Sequence, residues 1–323
     1  MLLSTSIVQT RLAKILTNNL KATYSSDIVI KNVDLSFLGS VQLKGVEIRD
    51  HHNDTLIFVK KLSTSLLNAR KIVNNNIHLG SVSLDGVHFY LKTYTDEADD
   101  NLTVFVESFS KTPKDSLSPI FLLKTSNVYI NDLTFKISDD NKKYPNQFGI
   151  EKAGGSLSDF KISGPDVSAK IRGLYFVDNR GIEITNFTTD FSFTKTQMLF
   201  QKTVLETMHS KVNAEIQFNY KREDLHYFND KVAINAVFSN SSLSLVDLNK
   251  LYGEIGGNDI LHFSGNILGT LNHFDAKKIE LLSDKGMEIK ADMHFTNAVY
   301  TDKGFVFDGS LKNIRTNYQQ LKS

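Results

Sequence analysis

From residue 26 onward the chain alternates apolar and polar side chains in short runs. Stretches such as IVIKNVDLSFLG, TLIFVKKLSTSLL, NIHLGSVSLDGVHFYLKTY, NLTVFVESF, NVYINDLTFKI, GIEITNFTTDFSF and KVNAEIQFNY put an apolar residue at every second position and are rich in β-branched and aromatic types. This periodicity predicts half-buried strands. Turn signals at Leu38-Gly39-Ser40, Asp85-Gly86, Asp139-Asp140-Asn141, Gly154-Gly155, Asn179-Arg180-Gly181 and Lys303-Gly304 fall at the short intervals of an all-β chain. Helical spacing is scarce. Val8, Leu12, Ile15, Leu16 and Leu20 share one face of an amphipathic helix within residues 1–25, and short helices are expected at Leu245–Tyr252 and Ile314–Leu321. The expected organisation is an N-terminal helix over 1–25 followed by an elongated, repetitive β region over 26–323.

The alternation also slips phase. In VQLKGVEI, Val41 and Leu43 stand two apart, as do Val46 and Ile48, but three positions separate the pairs, so an uninterrupted pleat would turn them to opposite faces. The same φ-x-φ-x-x-φ-x-φ pattern returns with Val82, Leu84, Val87 and Phe89, and with Val128, Ile130, Leu133 and Phe135. Looser copies follow from Gly155, from Ala169 and from Ile182, the last carrying Ile184 and Phe187. A two-residue hairpin would leave arms of about three or four residues. A β-bulge instead adds one residue, restores the apolar side chains to one face and bends the strand, and is the preferred reading at most copies.

A long sheet with one apolar face must cover it with helices, a second sheet, its own curvature or a bound apolar ligand. Helices are too few here. The expected fold is therefore all-β and mainly antiparallel, either a sandwich or solenoid with a closed core or a long curled sheet whose apolar groove stays open. In the second case the fifteen residues Val41, Leu43, Val46, Ile48, Val82, Leu84, Val87, Phe89, Val128, Ile130, Leu133, Phe135, Ile182, Ile184 and Phe187 would line a groove for a chain-like apolar ligand such as a phospholipid acyl chain.

Composition narrows the partner rather than the fold. The 323 residues are 41% hydrophobic and 23% charged with a net charge of +1, which is globular and offers no electrostatic case for nucleic acid or an acidic membrane surface. Cysteine is absent, excluding disulfides, thiolate nucleophiles and Cys-based zinc sites. No run approaches the ~18 apolar residues of a membrane span.

Candidate chemistry is thin. His51-His52-Asn53-Asp54 reads as a turn, because neighbouring histidines on an extended chain diverge, and Asp96-Glu97-Ala98-Asp99-Asp100 reads as a solvated tip without calcium-loop order. Ser-x-x-Lys at Ser108, Ser158 and Ser192 falls in strand pattern rather than at a helix start, and no nucleophile elbow, phosphate loop or His-Glu-x-x-His occurs. No catalytic, metal-ligating or cofactor-binding set is assigned, and a non-enzymatic protein is expected.

The segment SIVQTRLAKILTNNL, followed by IVIKNVDLSFLGSVQLKGVEIRDHHNDTLIFVKKLSTSLL and IHLGSVSLDGVHFYL, resembles the N-terminal region of the TamB family (translocation and assembly module subunit) of AsmA-like proteins as it occurs in Bacteroidota. That family shows a Val-Gln helix after its membrane anchor, an x-L-x-G-V-x-I-x-D strand and a D-T-L strand. They match Val8-Gln9; Leu43, Gly45, Val46, Ile48 and Asp50; and Asp54-Thr55-Leu56. SLSLVDLNKLYGEI and HFSGNILGTLNHF resemble further segments of the same region. The resemblance implies a curled sheet, or β-taco, with an apolar groove, anchored in the inner membrane and reaching into the periplasm of a Gram-negative bacterium. It further implies carriage of phospholipid between inner and outer membranes, and support of outer-membrane protein assembly with an Omp85-type partner. The anchor expected before residue 7 and the C-terminal domain that would meet that partner are not among these residues, so an N-terminal piece of a longer parent is expected. The alternative is a structural or adhesive surface protein with a closed β-core, and a third reading is an enzyme on a β-helix scaffold.

Overall fold

The computed structural model describes residues 27–35, 40–66, 76–110, 122–251, 256–299 and 304–316. The expected N-terminal helix lies outside them, as do Tyr252 and most of the expected C-terminal helix. Fifteen strands follow: β1 (Asp27–Leu35), β2 (Ser40–Arg49), β3 (Thr55–Leu66), β4 (Asn76–Thr93), β5 (Leu122–Asp139), β6 (Asn146–Ser163), β7 (Asp166–Asp178), β8 (Glu183–Phe193), β9 (Gln197–Glu206), β10 (Lys211–Asn219), β11 (Ala233–Ser244), β12 (Ile260–Gly269), β13 (His273–Ser283), β14 (Glu288–Thr296) and β15 (Val306–Arg315). Their hydrogen-bonded order is their chain order. The all-β, mainly antiparallel expectation holds. β4 and β5 pair in parallel from Asn76↔Leu122 to Thr93↔Asp139. A parallel neighbour needs a crossover, and helix α1 (Asn101–Ser110) lies in it.

That helix corrects the strand expected for NLTVFVESF. Leu102, Val104 and Val106 alternate, but Leu102, Phe105, Val106 and Phe109 also fit the i, i+3, i+4, i+7 stripe, so periodicity alone was ambiguous. The start signal decides it: Asp100 Oδ1 accepts the Thr103 N–H at 2.8 Å and Oδ2 accepts the Thr103 hydroxyl at 3.0 Å, an N-cap that frees the chain from the sheet. A 3₁₀ turn (Arg222–Tyr227) runs into α2 (Phe228–Lys231), and α3 (Leu245–Leu251) matches the helix expected there. Ile314, expected in a helix, is in β15, and Gly154-Gly155, expected as a turn, lies within β6.

The chain forms two compact units, Met1–Ala169 with Leu174–Asn179, and Lys170–Gly173 with Arg180–Ser323. In the first, the phase slip is collective. β2 runs unbroken through Gly45 and β4 through Gly86, so neither glycine makes a hairpin. Gly45, Gly86 and Asp132 sit at φ of 59°, 63° and 57°, in mid-strand. The pairing on either side of them keeps one register: Ile30↔Val46 and Val33↔Leu43 for β1 and β2, Val46↔Val59 and Leu43↔Leu62 for β2 and β3, Val59↔Val87 and Leu62↔Leu84 for β3 and β4. Every strand therefore carries two residues where a plain pleat has one, and the row Lys31, Gly45, Lys60, Gly86, Asp132 crosses all five strands. A Cβ on Gly45 would stand 2.7 Å from Lys31 Cδ, and one on Gly86 2.8 Å from Lys60 Cβ, so the aliphatic lysine stems occupy the space the glycines leave.

The second unit uses ordinary bulges on alternate strands. Thr188↔Val204 gives way to Asp190↔Gln201 between β8 and β9, Phe238↔Gly265 to Ser241↔Phe263 between β11 and β12, and Ala276↔Met293 to Ile279↔Ala291 between β13 and β14. The extra residues are Lys202, Asn240 and Lys278, each at positive φ. Two of the amides freed in this way are met by carboxylates of the next strand: Lys202 N–H donates to Glu215 at 2.9 Å and Lys278 N–H to Asp292 at 2.6 Å.

Candidate functional site

The register assembles the apolar residues into rows across neighbouring strands. In the first unit one row is Leu35, Val41, Thr64, Val82 and Val128, the next Val33, Leu43, Leu62, Leu84 and Ile130. Beyond the slip lie Ile30, Val46, Val59, Val87 and Leu133, then Ile28, Ile48, Ile57, Phe89 and Phe135, with the last two rings 5.1 Å apart. Twelve of the fifteen expected lining residues, Val41 through Phe135, fall in these rows. Those rows include β1 and β3, which carry slips of their own at Lys31-Asn32 and Lys60-Lys61; Asn32 has the Gly/Asp/Asn signal before Val33, whereas Lys61 before Leu62 lacks it.

The second unit repeats the device with aromatic residues. Phe191↔Phe200 and Phe200↔Ile216 join β8, β9 and β10, while Phe274↔Phe295 and Phe295↔Phe307 join β13, β14 and β15. Ring centroids lie 5.0 Å apart for Phe191 and Phe200, 6.2 Å for Phe200 and Phe218, 5.8 Å for Phe238 and Phe263, and 4.7 Å for Phe274 and Phe295. One expected copy does not slip. No register change separates Asn186 from Thr188 against β9, and Asn186 is not at positive φ, so alternation turns Phe187 away from the face of Ile184 and into the row of Leu205. Ile182 and Ile184 are buried while Phe187 is half-buried. Asn186 mimicked the Gly/Asp/Asn signal; the true extra residue is Lys202 on the next strand.

Burial along these rows follows side-chain size with two exceptions, Ile30, which is buried, and Val46, which is half-buried. Val41, Val82, Val87 and Val128 are buried, and so are Ala214, Ala236, Ala276 and Ala291. Leu43, Ile48, Leu84, Phe89, Ile130, Leu133, Phe135, Phe200, Ile216, Phe218, Phe263, Phe274 and Phe295 are only half-buried. Small side chains are shielded by their lateral neighbours within the layer; large ones rise above it and keep their tips accessible. A sealed core buries its largest residues most, and among the described residues Leu56 is the only apolar side chain larger than valine that is buried almost completely. On β15 even Phe307, Leu311 and Ile314 are more than half exposed.

A polar knot ties the ends of β2 and β4 in the first unit. Asp50 Oδ2 accepts from the Tyr94 hydroxyl at 2.7 Å and from Asn101 Nδ2 at 2.9 Å, while Oδ1 accepts the N–H groups of His52 and Asp54 at 3.0 and 2.9 Å. Burial alone would push the Asp50 carboxyl up, but these donors together outweigh it and hold it below the ordinary carboxylate range. Burial, then the two neighbouring carboxylates, drives the Tyr94 hydroxyl far above its usual value. His51 and His52, expected to diverge, converge: His51 Nε2 lies 2.8 Å from Glu97 Oε2 and His52 Nε2 2.6 Å from Glu97 Oε1. Neighbouring side chains diverge on extended backbone, but Asn53 at φ 65° closes a tight turn here.

Compared with known proteins, the chain matches no family model and no curated protein. Among the described residues no helix is long and apolar enough to cross a membrane.

Proposed function

We propose that this protein is a non-enzymatic lipid-binding protein whose apolar sheet faces shield phospholipid acyl chains, and that it serves phospholipid movement between the inner and outer membranes of a Gram-negative envelope. The observation that carries the reading is the size dependence of burial: rows of Leu, Ile and Phe whose tips stay accessible while small neighbours are buried. Such rows offer an apolar surface without a specific polar pocket, which suits a flexible hydrocarbon chain of variable length. Each shielded methylene contributes about 0.8 kcal/mol, so ten give roughly 8 kcal/mol before the chain's own ordering is subtracted. The periplasmic setting, the inner-membrane anchor and the Omp85-type partner come from the family resemblance and belong to the same proposal.

The test combines mass spectrometry of lipid extracted from the purified protein with titration of a fluorescent fatty-acid probe. Leu43→Asp with Val46→Asp in the first unit, and Phe200→Asp with Ile216→Asp in the second, place carboxylates on half-buried positions where water reaches them. Probe affinity is expected to fall at least tenfold for both pairs combined while circular dichroism stays β-rich. Unchanged probe binding in the fourfold variant, or no bound lipid and no probe binding in the parent chain, would overturn the reading.

A further inference from the structure

We propose that His51, His52 and Glu97 form a binding site for a divalent transition cation of the zinc class. The inference stands on the polar turns of the first unit and is independent of the apolar face. The three donors lie within 4.8 Å of one another, with both imidazole Nε2 atoms aimed at the two oxygens of one carboxylate.

Two turns fix the donors from opposite sides. On the first, Asp50 Oδ1 accepts the His52 and Asp54 N–H groups, Asn53 N–H donates to the Asp50 carbonyl and Asp50 N–H to the Asp54 carbonyl. The His52 ring stacks on Tyr94 with centroids 3.8 Å apart, and the His51 ring stands edge-on to Tyr94 at 5.6 Å. On the second, Glu97 N–H donates to the Tyr94 carbonyl at 3.1 Å, Asn141 Nδ2 donates to the carbonyls of Tyr94 and Glu97 at 2.9 and 3.0 Å, and Asn141 Oδ1 accepts the Asp96 N–H at 2.8 Å. Tyr94 thus belongs to both supports. Its hydroxyl is held by Asp50 and Asp54, which leaves its ring as a fixed wall behind the histidines.

The donor set selects the ion. Two neutral imidazoles and a carboxylate suit zinc, copper, nickel or cobalt; magnesium and calcium want oxygen ligands alone. Zinc bonds of ~2.0–2.2 Å in tetrahedral geometry put ligand atoms about 3.3 Å apart. The present contacts of 2.8 and 2.6 Å therefore need open by only about half an ångström as the ion replaces the bridging protons. All three side chains reach solvent, so a fourth position is open to water.

Calorimetric titration of the full chain with zinc chloride, and the visible d–d absorption of its cobalt(II) form, test the site. One ion per chain is expected, not displaced by excess magnesium. His51→Ala, His52→Ala and Glu97→Gln should each weaken binding at least tenfold and bleach the cobalt band. His262→Ala, which removes a β12 histidine paired with Asp284 in the turn between β13 and β14, should leave both unchanged. Circular dichroism without metal checks that Glu97→Gln remains folded; if it does not, the exposed His51→Ala carries the test. Absence of saturable binding in the parent chain, or one-site binding that survives His51→Ala and His52→Ala, would overturn the proposal.

Discussion

Asp50 shows how much a single side chain can hold when its lone pairs are all used. Asp50→Ala would leave the His52 and Asp54 amides without their acceptor and take from Asn101 Nδ2 one of its two, the Tyr90 carbonyl remaining, and is expected to destabilise the first unit by on the order of 3 kcal/mol, read from urea unfolding. The pH dependence has a definite sign. Because the folded-state carboxyl titrates below its ordinary value of 3.8, its stabilisation is fully present above that value and is lost as pH falls through it toward the lower folded pKa. Asp50→Asn should therefore show a shallower loss of stability between about pH 4 and pH 2 than the parent chain in parallel urea melts; an unchanged slope would remove Asp50 from the acid transition. In sequence, Asp50 is visible only as a residue at a strand end beside a turn. Its partners Tyr94 and Asn101 lie 44 and 51 positions away, and no local pattern announces them. The convergence of His51 and His52 on Glu97 was hidden for the same reason.

At the level of the strand, the informative signal was the interruption rather than the alternation. The reading of Lys44-Gly45 and Asp85-Gly86 as mid-strand devices was legible because glycine marks a backbone at positive φ. The equivalent positions at Lys152, Lys202 and Lys278 were not, since lysine carries no such mark. That contrast predicts opposite responses. Gly45→Ala places a Cβ against the Lys31 stem at φ 59° and should cost about 1–2 kcal/mol. Lys278→Gly removes a left-handed penalty at an exposed position and should be neutral or stabilising by up to about 1 kcal/mol. Chemical denaturation of the two variants beside the parent checks both signs. Helix α1 was misread because Leu102, Val104 and Val106 satisfy strand spacing as well as Phe105 and Phe109 satisfy helix spacing, and only the Asp100 cap separates the two.

For the molecule as a whole, the repeated half-burial of large apolar side chains has a calorimetric consequence. Heat capacity of unfolding follows the apolar surface newly exposed, about 12–15 cal/mol/K per residue for compact domains. Each unit keeps much of that surface accessible while folded, so scanning calorimetry should return a lower value, and acyl-chain binding should bring a negative heat-capacity change of its own. A parent value within the compact range would argue for a covered face. The all-β class and the first-unit rows that hold Val41 through Phe135 could be read from alternation and slip; the second unit's rows could not, because Thr203 and Ser241 stand where an apolar third member was sought and, before Ile279, Lys278 stands where Gly, Asp or Asn was sought.

The row from Lys31 to Asp132 also constrains how this protein can vary. Deleting one residue at Gly45 would restore a plain pleat to β2, with Val41, Leu43, Val46 and Ile48 still on one side, but would carry Val46 and Ile48 one position out of register with Ile30 and Ile28 on β1 and with Val59 and Ile57 on β3, which keep both slip residues. The same deletion becomes tolerable only if made in all five strands together. Strand length here is a shared property of the set, so single-codon deletions near the row should be far less tolerated than substitutions, and chains that differ there should differ in every strand at once.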